Sequence, residues 1–184
     1  MIIYIHGFGS SGFGGKASLF KEEFQNEIIL PSLSYVPTLA IDTLEQLIKL
    51  LMRKGEKLFL IGSSLGGYYA IYLANKYSLK AVLINPAITP YDSLNKMGMS
   101  TNYFDFSKFE VTPEHMQVLR KFEVQNILKQ SNFLLLLQTG DTLLNYEDAL
   151  DKFPKAKKVV QEGGDHSFVN IETCYKDIRD FFEL

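Results

Sequence analysis

Short apolar runs alternate with longer helical patterns along this chain, and this alternation limits the folds that it can adopt. Several of the runs are apolar at every position, which is typical of strands in a parallel sheet that helices cover on both faces. The predicted strands are residues 2–5, 27–30, 58–61, 81–84, 133–137 and 158–160. Strands that alternate with helices predict right-handed β-α-β units, and therefore an α/β fold with a mostly parallel sheet of about six strands flanked by helices.

Apolar residues at helical spacing fill most of the intervals between these strands. Leu44, Ile48 and Leu51 recur at this spacing before a glycine that marks the end of a helix. A wide apolar stripe over residues 171–182 predicts a helix at the end of the chain. Because no internal repeat or low-complexity segment divides the chain, we expect a single domain over residues 1–184.

One long interval, from about residue 89 to residue 129, interrupts this alternation. It holds no convincing strand, although residues 113–122 have the pattern of a helix. A connection of this length in a compact domain is usually functional, so we interpret residues 91–129 as a short lid-like insertion. Three aromatic residues of the insertion are predicted to line a substrate pocket, with burial in the core as the alternative: Tyr103, Phe104 and Phe106.

The segment Gly62-Ser63-Ser64-Leu65-Gly66 matches the pattern Gly-x-Ser-x-Gly, centred on Ser64. It follows a predicted strand and precedes a predicted helix, which is the context of a nucleophile elbow. The turn in such an elbow is tight enough to need glycine on each side, and it lifts the serine hydroxyl above the carboxyl edge of the sheet. Ser63 has the wrong spacing for this role. A glycine-rich turn without chemistry is the alternative to a nucleophile at Ser64.

A second glycine motif, Gly7-Phe8-Gly9-Ser10-Ser11-Gly12, supports a competing interpretation. It matches Gly-x-Gly-x-x-Gly, the dinucleotide-binding fingerprint, again between a predicted strand and a predicted helix. That fingerprint needs an acidic residue at the end of the second strand, whereas Glu27 stands at the start of that strand. The phosphate-loop pattern also fails, because Ala17 follows Lys16 and has no hydroxyl for magnesium. A nucleotide-binding protein therefore remains the weaker alternative.

The loop after the first strand has a better explanation in a hydrolase. Hydrolases with a nucleophile elbow bind the oxyanion of the reaction with two backbone N–H groups, one from the residue after the nucleophile and one from a loop that follows a strand. Phe8 and Leu65 are predicted to supply these two groups. His6 lies in the same loop but precedes the serine in the chain, so we interpret it as a residue that shapes the loop.

A serine nucleophile needs a base, and the base needs a carboxylate to orient it. His166 lies in a glycine-rich loop between the last predicted strand and the last helix, which is the position of the base in this fold. Asp141 is the only carboxylate in the turn after the fifth predicted strand. We therefore predict a catalytic triad of Ser64, Asp141 and His166. Two other candidates are interpreted as structural: His115 in a helix of the insertion and Asp165 beside the base.

The composition argues against several other classes of protein. The formal net charge is −2, so the positive charge typical of a nucleic-acid binder is missing. The longest aliphatic run, residues 133–137, is far shorter than the roughly 20 residues of a membrane helix. The single cysteine cannot form an intramolecular disulfide, which fits a reducing compartment such as the cytoplasm. No metal or other cofactor is predicted, because the chain lacks His-Glu-x-x-His and similar ligand spacings.

Four stretches of the chain, in the correct order, match motifs of one known family. They are residues 4–8 with Ser10-Ser11 and Lys16-Ala17, residues 62–70, Asn85-Pro86-Ala87, and residues 138–141 together with 162–166. Through them the chain resembles the YqiA-type bacterial esterases of the α/β-hydrolase superfamily. The resemblance implies a reduced α/β-hydrolase fold and cleavage of small or acyl-chain esters and thioesters. It is weakest over residues 91–131, so it implies no particular substrate.

The residues and the resemblance together predict a serine hydrolase that cleaves carboxylic esters or thioesters through an acyl-enzyme intermediate. Its expected partner is a small-molecule ester or acyl thioester, and we expect no nucleic acid, no cofactor and no stable membrane anchoring. Two alternatives from other classes stay open. One is a nucleotide-binding protein that uses the N-terminal glycine loop, and the other is a catalytically inactive interaction module with the hydrolase fold.

Overall fold

The computed structural model describes residues 1–94 and 98–184. The strands in these ranges are β1 (Ile2–Ile5), β2 (Ile28–Ile29), β3 (Phe59–Ser63), β4 (Lys80–Ile84), β5 (Met99–Thr101), β6 (Lys108–Glu110), β7 (Phe133–Gln138) and β8 (Lys157–Gln161). The α-helices are α1 (Gly15–Phe24), α2 (Pro37–Arg53), α3 (Leu65–Tyr77), α4 (Pro90–Ser93), α5 (Pro113–Lys121), α6 (Tyr146–Lys152) and α7 (Tyr175–Phe182). Short 3₁₀ turns precede β2, β7 and α7.

The main sheet has six parallel strands in the order β2-β1-β3-β4-β7-β8. Each of them corresponds to a strand predicted from the sequence, so the predicted α/β fold with a mostly parallel sheet is confirmed. Ile5 pairs with Gly62, and Ser63 pairs with Ile84, so the carboxyl ends of β1, β3 and β4 meet at one edge of the sheet. The loops that follow these strands come together there, as ligand-binding loops do in open α/β sheets.

Strand β1 shows why its run is apolar at every position. Ile3 and Ile5 belong to a buried cluster that includes residues of α2 and α3, whereas Ile2 and Tyr4 belong to a second cluster with residues of α1 and α7. Successive side chains of a strand point to opposite faces of the sheet. Helices therefore cover both faces, and each face contributes hydrophobic stabilisation of roughly 25 cal/mol per Å² of buried apolar surface.

Helix α2 follows the predicted apolar spacing. Pro37 occupies its first turn, where the missing N–H of proline is tolerated. Ala40, Leu44 and Ile48 are buried on one face. Gly55, two residues past its end, has a φ of 75°, the left-handed conformation at which helices commonly stop. In the described part of the chain, no helix is both long and apolar enough to cross a membrane.

The interval from residue 89 to residue 129 contains a small antiparallel sheet, so the prediction that it holds no strand is wrong. Strands β5 and β6 pair with each other and have three residues each. Along β6 only Phe109 is buried, so no apolar run marks this strand in the sequence. The predicted helix over residues 113–122 is confirmed as α5. Residues 95–97 of the predicted insertion lie outside the described residues.

Candidate active site

Ser64 lies in the turn between β3 and α3, at the carboxyl edge of the main sheet. Its backbone has φ 54° and ψ −121°, a conformation that is unfavourable for a residue other than glycine. The turn is also tightly packed, because a Cβ at Gly62 would collide with the carbonyl oxygen of Gly66, and a Cβ at Gly66 would collide with that of Ile5. The segment therefore has the strained strand-to-helix geometry of a nucleophile elbow.

The structure brings the three residues of the predicted triad together. Ser64 Oγ lies 2.9 Å from His166 Nε2, and His166 Nδ1 lies 2.7 Å from Asp141 Oδ2. An ionised carboxylate can only accept hydrogen bonds, so Nδ1 carries the imidazole proton and donates a hydrogen bond to Asp141 Oδ2. Nε2 is then left to accept the hydrogen of the serine hydroxyl. This is the tautomer in which a histidine can act as a base toward serine.

Asp141 is held in place by the turn that follows β7. Its side chain is only 1% exposed. Oδ1 accepts hydrogen bonds from the backbone N–H groups of Leu143 and Leu144, both at 2.9 Å. A buried carboxylate without such partners would be costly. Because these two bonds fix Oδ1, the other oxygen is directed at His166.

Two buried amide side chains hold the loop that carries His166, a role that the sequence pattern alone does not reveal. Gln138 Oε1 accepts from the backbone N–H groups of Asp165 at 3.1 Å and Val169 at 2.9 Å. Asn85 Nδ2 donates to the carbonyl oxygen of Asp165 at 3.0 Å, and Asn85 Oδ1 accepts from the N–H of Gln138. Polar residues at the ends of otherwise apolar strands are the signal that could have identified both.

The two residues predicted to bind the oxyanion through their backbone N–H groups border the same cavity as Ser64. Phe8 and Leu65 both line that cavity with Ser64. Leu65 is the first residue of α3, so its N–H has no partner within the helix. Among the described residues, neither N–H donates a hydrogen bond to another backbone group. Two unused donors beside a serine hydroxyl can stabilise negative charge that develops there.

His6 is tied into the loop that carries Phe8. The backbone N–H of Leu33 donates to His6 Nε2 at 2.9 Å, which leaves Nδ1 to donate to the carbonyl oxygen of Gly7 at 2.8 Å. Burial lowers the pKa of His6 below its usual value of 6.5, so the ring is neutral at pH 7. Both nitrogens are occupied by loop contacts, in agreement with the predicted role of His6 in shaping the loop.

The two remaining candidates make local contacts outside the triad. Thr112 donates its backbone N–H to His115 Nδ1 at 3.3 Å, as part of the cap at the start of α5. Asp165 Oδ1 accepts from the backbone N–H of Ser167 at 2.7 Å. Both side chains therefore stabilise their own segments, as the sequence interpretation expected.

A largely apolar cavity of about 270 Å³ opens beside Ser64. Tyr103 is the aromatic residue of the insertion that the structure brings to this cavity, and its backbone N–H donates to the carbonyl oxygen of Gly9 at 2.7 Å. The other residues that line it are Phe8, Leu65, Ala87, Pro90, Ser93, Leu94, Leu143, Leu144 and His166.

The structure does not bring Phe104 and Phe106 to this cavity, which corrects the prediction for these two residues. Phe104 stacks on Phe13 with 5.6 Å between ring centroids, and both rings are largely exposed. Phe106 is 76% exposed and has a φ of 59°. They lie in the turn between β5 and β6, where the N–H of Phe106 bonds the carbonyl oxygen of Asn102. Because that turn directs both side chains to solvent, the core alternative is wrong for them as well.

A second, more polar cavity of about 480 Å³ also reaches Ser64 and His166. Lys16, in the first turn of α1, lines it and donates from Nζ to Ser63 Oγ at 2.8 Å. Burial lowers the pKa of Lys16 to about 8. The sequence pattern assigns Lys16 no role, although its place at the start of a helix after β1 puts it at the carboxyl edge of the sheet.

The arrangement of a serine hydroxyl, an imidazole, a buried carboxylate and two N–H donors is the one that acyl transfer requires. Within residues 1–94 and 98–184, no cluster of three or more His, Cys, Asp or Glu side chains could hold a metal ion.

Comparison with known proteins supports the fold and identifies a family. The model of a family described as "Uncharacterised protein family (UPF0227)" matches residues 1–183. The UPF0227 protein YcfP of Escherichia coli O9:H4 (strain HS) is 25% identical over 191 residues, which cover 100% of this chain and 99% of that protein. This match agrees with the resemblance that the sequence motifs indicate.

Solved structures with a similar fold are α/β hydrolases. Est1E from Butyrivibrio proteoclasticus, with ferulic acid bound, superimposes with a TM-score of 0.74 at 12% identity over 99% of this chain and 87% of that chain. The mouse α/β hydrolase domain-containing protein 10 has a TM-score of 0.72 at 18% identity, over 99% of this chain and 89% of that chain. The monoacylglycerol lipase of Paleococcus ferrophilus has a TM-score of 0.71 at 17% identity, over 98% of this chain and 93% of that chain. At these identities the likeness shows the α/β-hydrolase fold.

Proposed function

The chain belongs to the UPF0227 family, whose description names no activity, and from this premise we propose that it is a serine hydrolase that cleaves carboxylic esters or thioesters. The observation that carries the proposal is the continuous chain of hydrogen bonds from Ser64 through His166 to Asp141, at 2.9 and 2.7 Å. This chain stands next to two N–H donors that have no backbone partner. A glycine-rich turn without chemistry would need neither the hydrogen-bonded triad nor the two N–H donors.

In the acylation step, Ser64 Oγ forms a bond to the carbonyl carbon of the ester while its proton passes to His166 Nε2. The carbonyl oxygen becomes an oxyanion that the N–H groups of Phe8 and Leu65 stabilise. Collapse of this intermediate breaks the bond to the alcohol or thiol, and His166 returns the proton to that leaving group. Asp141 keeps the ring oriented and stabilises the imidazolium.

In the deacylation step, water replaces the alcohol as the reactant. His166 takes a proton from the water, whose oxygen forms a bond to the acyl carbon. The bond to Ser64 Oγ then breaks, and the serine recovers its proton from His166. The products are a carboxylic acid and a regenerated enzyme, so the cycle needs no cofactor.

Two proteins with a similar fold support the choice of an ester as the substrate. One was solved with ferulic acid bound, and the other is described as a monoacylglycerol lipase. The apolar cavity beside Ser64 suits an acyl chain in the same way. We further propose that the chain works in the cytoplasm, since its only cysteine, Cys174, is buried and unpaired. We also propose that residues 1–184 form a single domain, since both core clusters pack on the same main sheet.

Labelling with a fluorophosphonate probe, followed by mass spectrometry of the peptides, tests the proposal. The probe forms a bond from phosphorus to an activated serine oxygen with loss of fluoride. We expect the label on Ser64, no label in Ser64→Ala or His166→Ala, and measurable labelling in the matched control Ser63→Ala, which keeps the triad but loses the hydroxyl that accepts from Lys16. A folded wild-type protein that takes no label would favour an inactive interaction module, and a label that persists in Ser64→Ala would place the nucleophile elsewhere.

A further inference from the structure

Lys16 places a positive charge beside the triad without a close acidic partner. Its Nζ donates to the hydroxyl of Ser63, and among the described residues no carboxylate oxygen lies within ion-pair distance of it. Asp165 and Asp141 attract it only from farther away. An ammonium group that is partly withdrawn from water and bonded to a neutral hydroxyl is less favourable than one paired with an anion.

The polar cavity that contains Lys16 meets the apolar cavity at the reacting atoms. Phe8, Ser64 and His166 line both cavities. The two halves of an ester extend in different directions from its carbonyl carbon. One half can therefore enter the apolar cavity while the other enters the cavity that holds the ammonium group.

We propose that Lys16 binds an anionic group, a carboxylate or a phosphate, on one half of the ester substrate. The inference rests on the proposed hydrolase function and adds a substrate class to it: esters with one apolar half and one anionic half. Lys16 has three N–H donors, and its bond to Ser63 uses one of them. The other two are available to an anion in the cavity.

A structural role for Lys16 makes a different prediction. Through Ser63 the ammonium group could simply hold the end of β3 and so the position of Ser64. Loss of such a contact would slow the hydrolysis of every ester by the same factor. An anion-binding role instead changes the ratio of kcat/KM between an anionic ester and its neutral counterpart, so this ratio is the quantity to measure.

Two matched pairs of esters place the charge on either side of the scissile bond. The acyl-side pair is the mono-4-nitrophenyl ester of adipic acid and its methyl ester, and the alcohol-side pair is butyryl glycerol 3-phosphate and monobutyrin. We expect the wild type to prefer the anionic member of at least one pair. Lys16→Met should lower that preference about 10- to 100-fold, the range for a hydrogen bond to a charged group. Lys16→Arg should retain most of it.

The pH dependence of the same ratio gives an independent readout. Lys16 is protonated below its pKa of about 8, so the preference for the anionic ester should be full at pH 7 and fall as the pH rises through 8 to 9. In Lys16→Arg it should stay level, because arginine keeps its charge. Tyr4, Asp141, Asp165 and His166 are the other titratable groups around this space, and their effects on the chemical step cancel in a ratio of matched esters.

The outcomes separate the two proposals. If the wild type hydrolyses no ester and Ser64 takes no label, the hydrolase function itself fails. If esters are hydrolysed but neither ratio changes in Lys16→Met, or the wild-type ratios are level from pH 7 to 9, Lys16 does not bind an anion and only this inference fails. Should Lys16→Met not fold, Lys16→Arg and the pH dependence decide the question.

Discussion

The carboxyl edge of the main sheet and the insertion that follows β4 both contribute to the cavity at Ser64, but they are built in different ways. At the edge, the triad stands on the ends of buried strands, and its acid is 1% exposed. In the insertion, β5 and β6 have three residues each, and Tyr103 is 73% exposed although it lines the cavity. At the edge, hydrogen bonds hold the side chains of the triad in position. The insertion instead contributes a few side chains to the wall of the cavity.

This difference indicates a division of labour. Hydrogen-bonded groups on rigid strands can keep the alignment that a chemical step requires. The exposed residues of the insertion, such as those of the turn between β5 and β6, can change without disturbing the sheet, which suits the recognition of a substrate. We therefore expect substitutions at the edge to affect the rate for every ester, and substitutions in the insertion to affect stability locally or the choice of ester.

The largest effect that sharpens this comparison is expected from Asp141→Asn. The amide can no longer favour the tautomer in which His166 accepts from Ser64, so kcat for 4-nitrophenyl butyrate should fall by about 10⁴-fold, as when the acid of a serine protease triad is replaced. The chain offers a matched control in Asp165→Asn, which keeps an oxygen to accept from Ser167. That variant should stay within about threefold of the wild type. Steady-state kinetics on the two purified variants provides the measurement.

The opposite ranking of the two variants in kcat would contradict the role assigned to Asp141 at the edge of the sheet. If Asp165→Asn lost more activity than Asp141→Asn, the acid would belong to the glycine-rich loop and not to the turn after β7. The buried contacts of Asp141 with Leu143 and Leu144 would then have only a structural purpose.

The edge of the sheet could be predicted from the sequence because each of its parts has a strong local pattern. Apolar runs indicate the strands, and Gly-x-Ser-x-Gly between a strand and a helix indicates the turn at Ser64. The positions of Asp141 and His166 then follow from the order of the elements. For Gln138 and Asn85 the pattern shows only that a polar residue ends an apolar strand. Their partners cannot be read from it, because they lie 27 and 80 residues away in the chain.

The insertion could be predicted only in outline. Helix α5 has a clear apolar spacing and a capping residue, so it was predictable. The hairpin was not, because a three-residue strand with one buried side chain has no periodicity to detect. Phe104 and Phe106 in its turn were misjudged for a related reason. Composition shows that aromatics are present, but the direction of each ring depends on the dihedral angles of a tight turn, such as the positive φ of Phe106.

Within the insertion, Phe109→Ala is expected to have a large effect on stability. Phe109 is 7% exposed and packs on Phe8 and Tyr35, with ring centroids at 5.4 and 4.9 Å. Removal of a buried phenylalanine ring should lower the free energy of unfolding by about 3–5 kcal/mol. The matched control Phe106→Ala removes an exposed ring and should change it by about 0.5 kcal/mol or less. Urea unfolding of both variants measures the two free energies of unfolding. Equal decreases would contradict the difference in burial between the two rings.

The smallest effect is expected from Tyr103→Ala, and it tests whether the insertion selects the substrate. Tyr103 lines the apolar cavity, so removal of its ring enlarges the space for an acyl chain. Each additional buried methylene contributes about 0.8 kcal/mol, or about fourfold in kcat/KM, so room for one or two more should raise the ratio of octanoate to acetate ester hydrolysis by about four- to fifteenfold. Phe104→Ala is the matched control, because its ring stacks on Phe13 and does not line the cavity. It should leave the ratio unchanged.

If both variants hydrolyse acetate, butyrate and octanoate esters in the wild-type proportions, the insertion does not set the preferred acyl chain length. Selectivity would then depend on the residues of the sheet edge that line the same cavity, such as Leu143 and Leu144, and the proposed division of labour would be wrong.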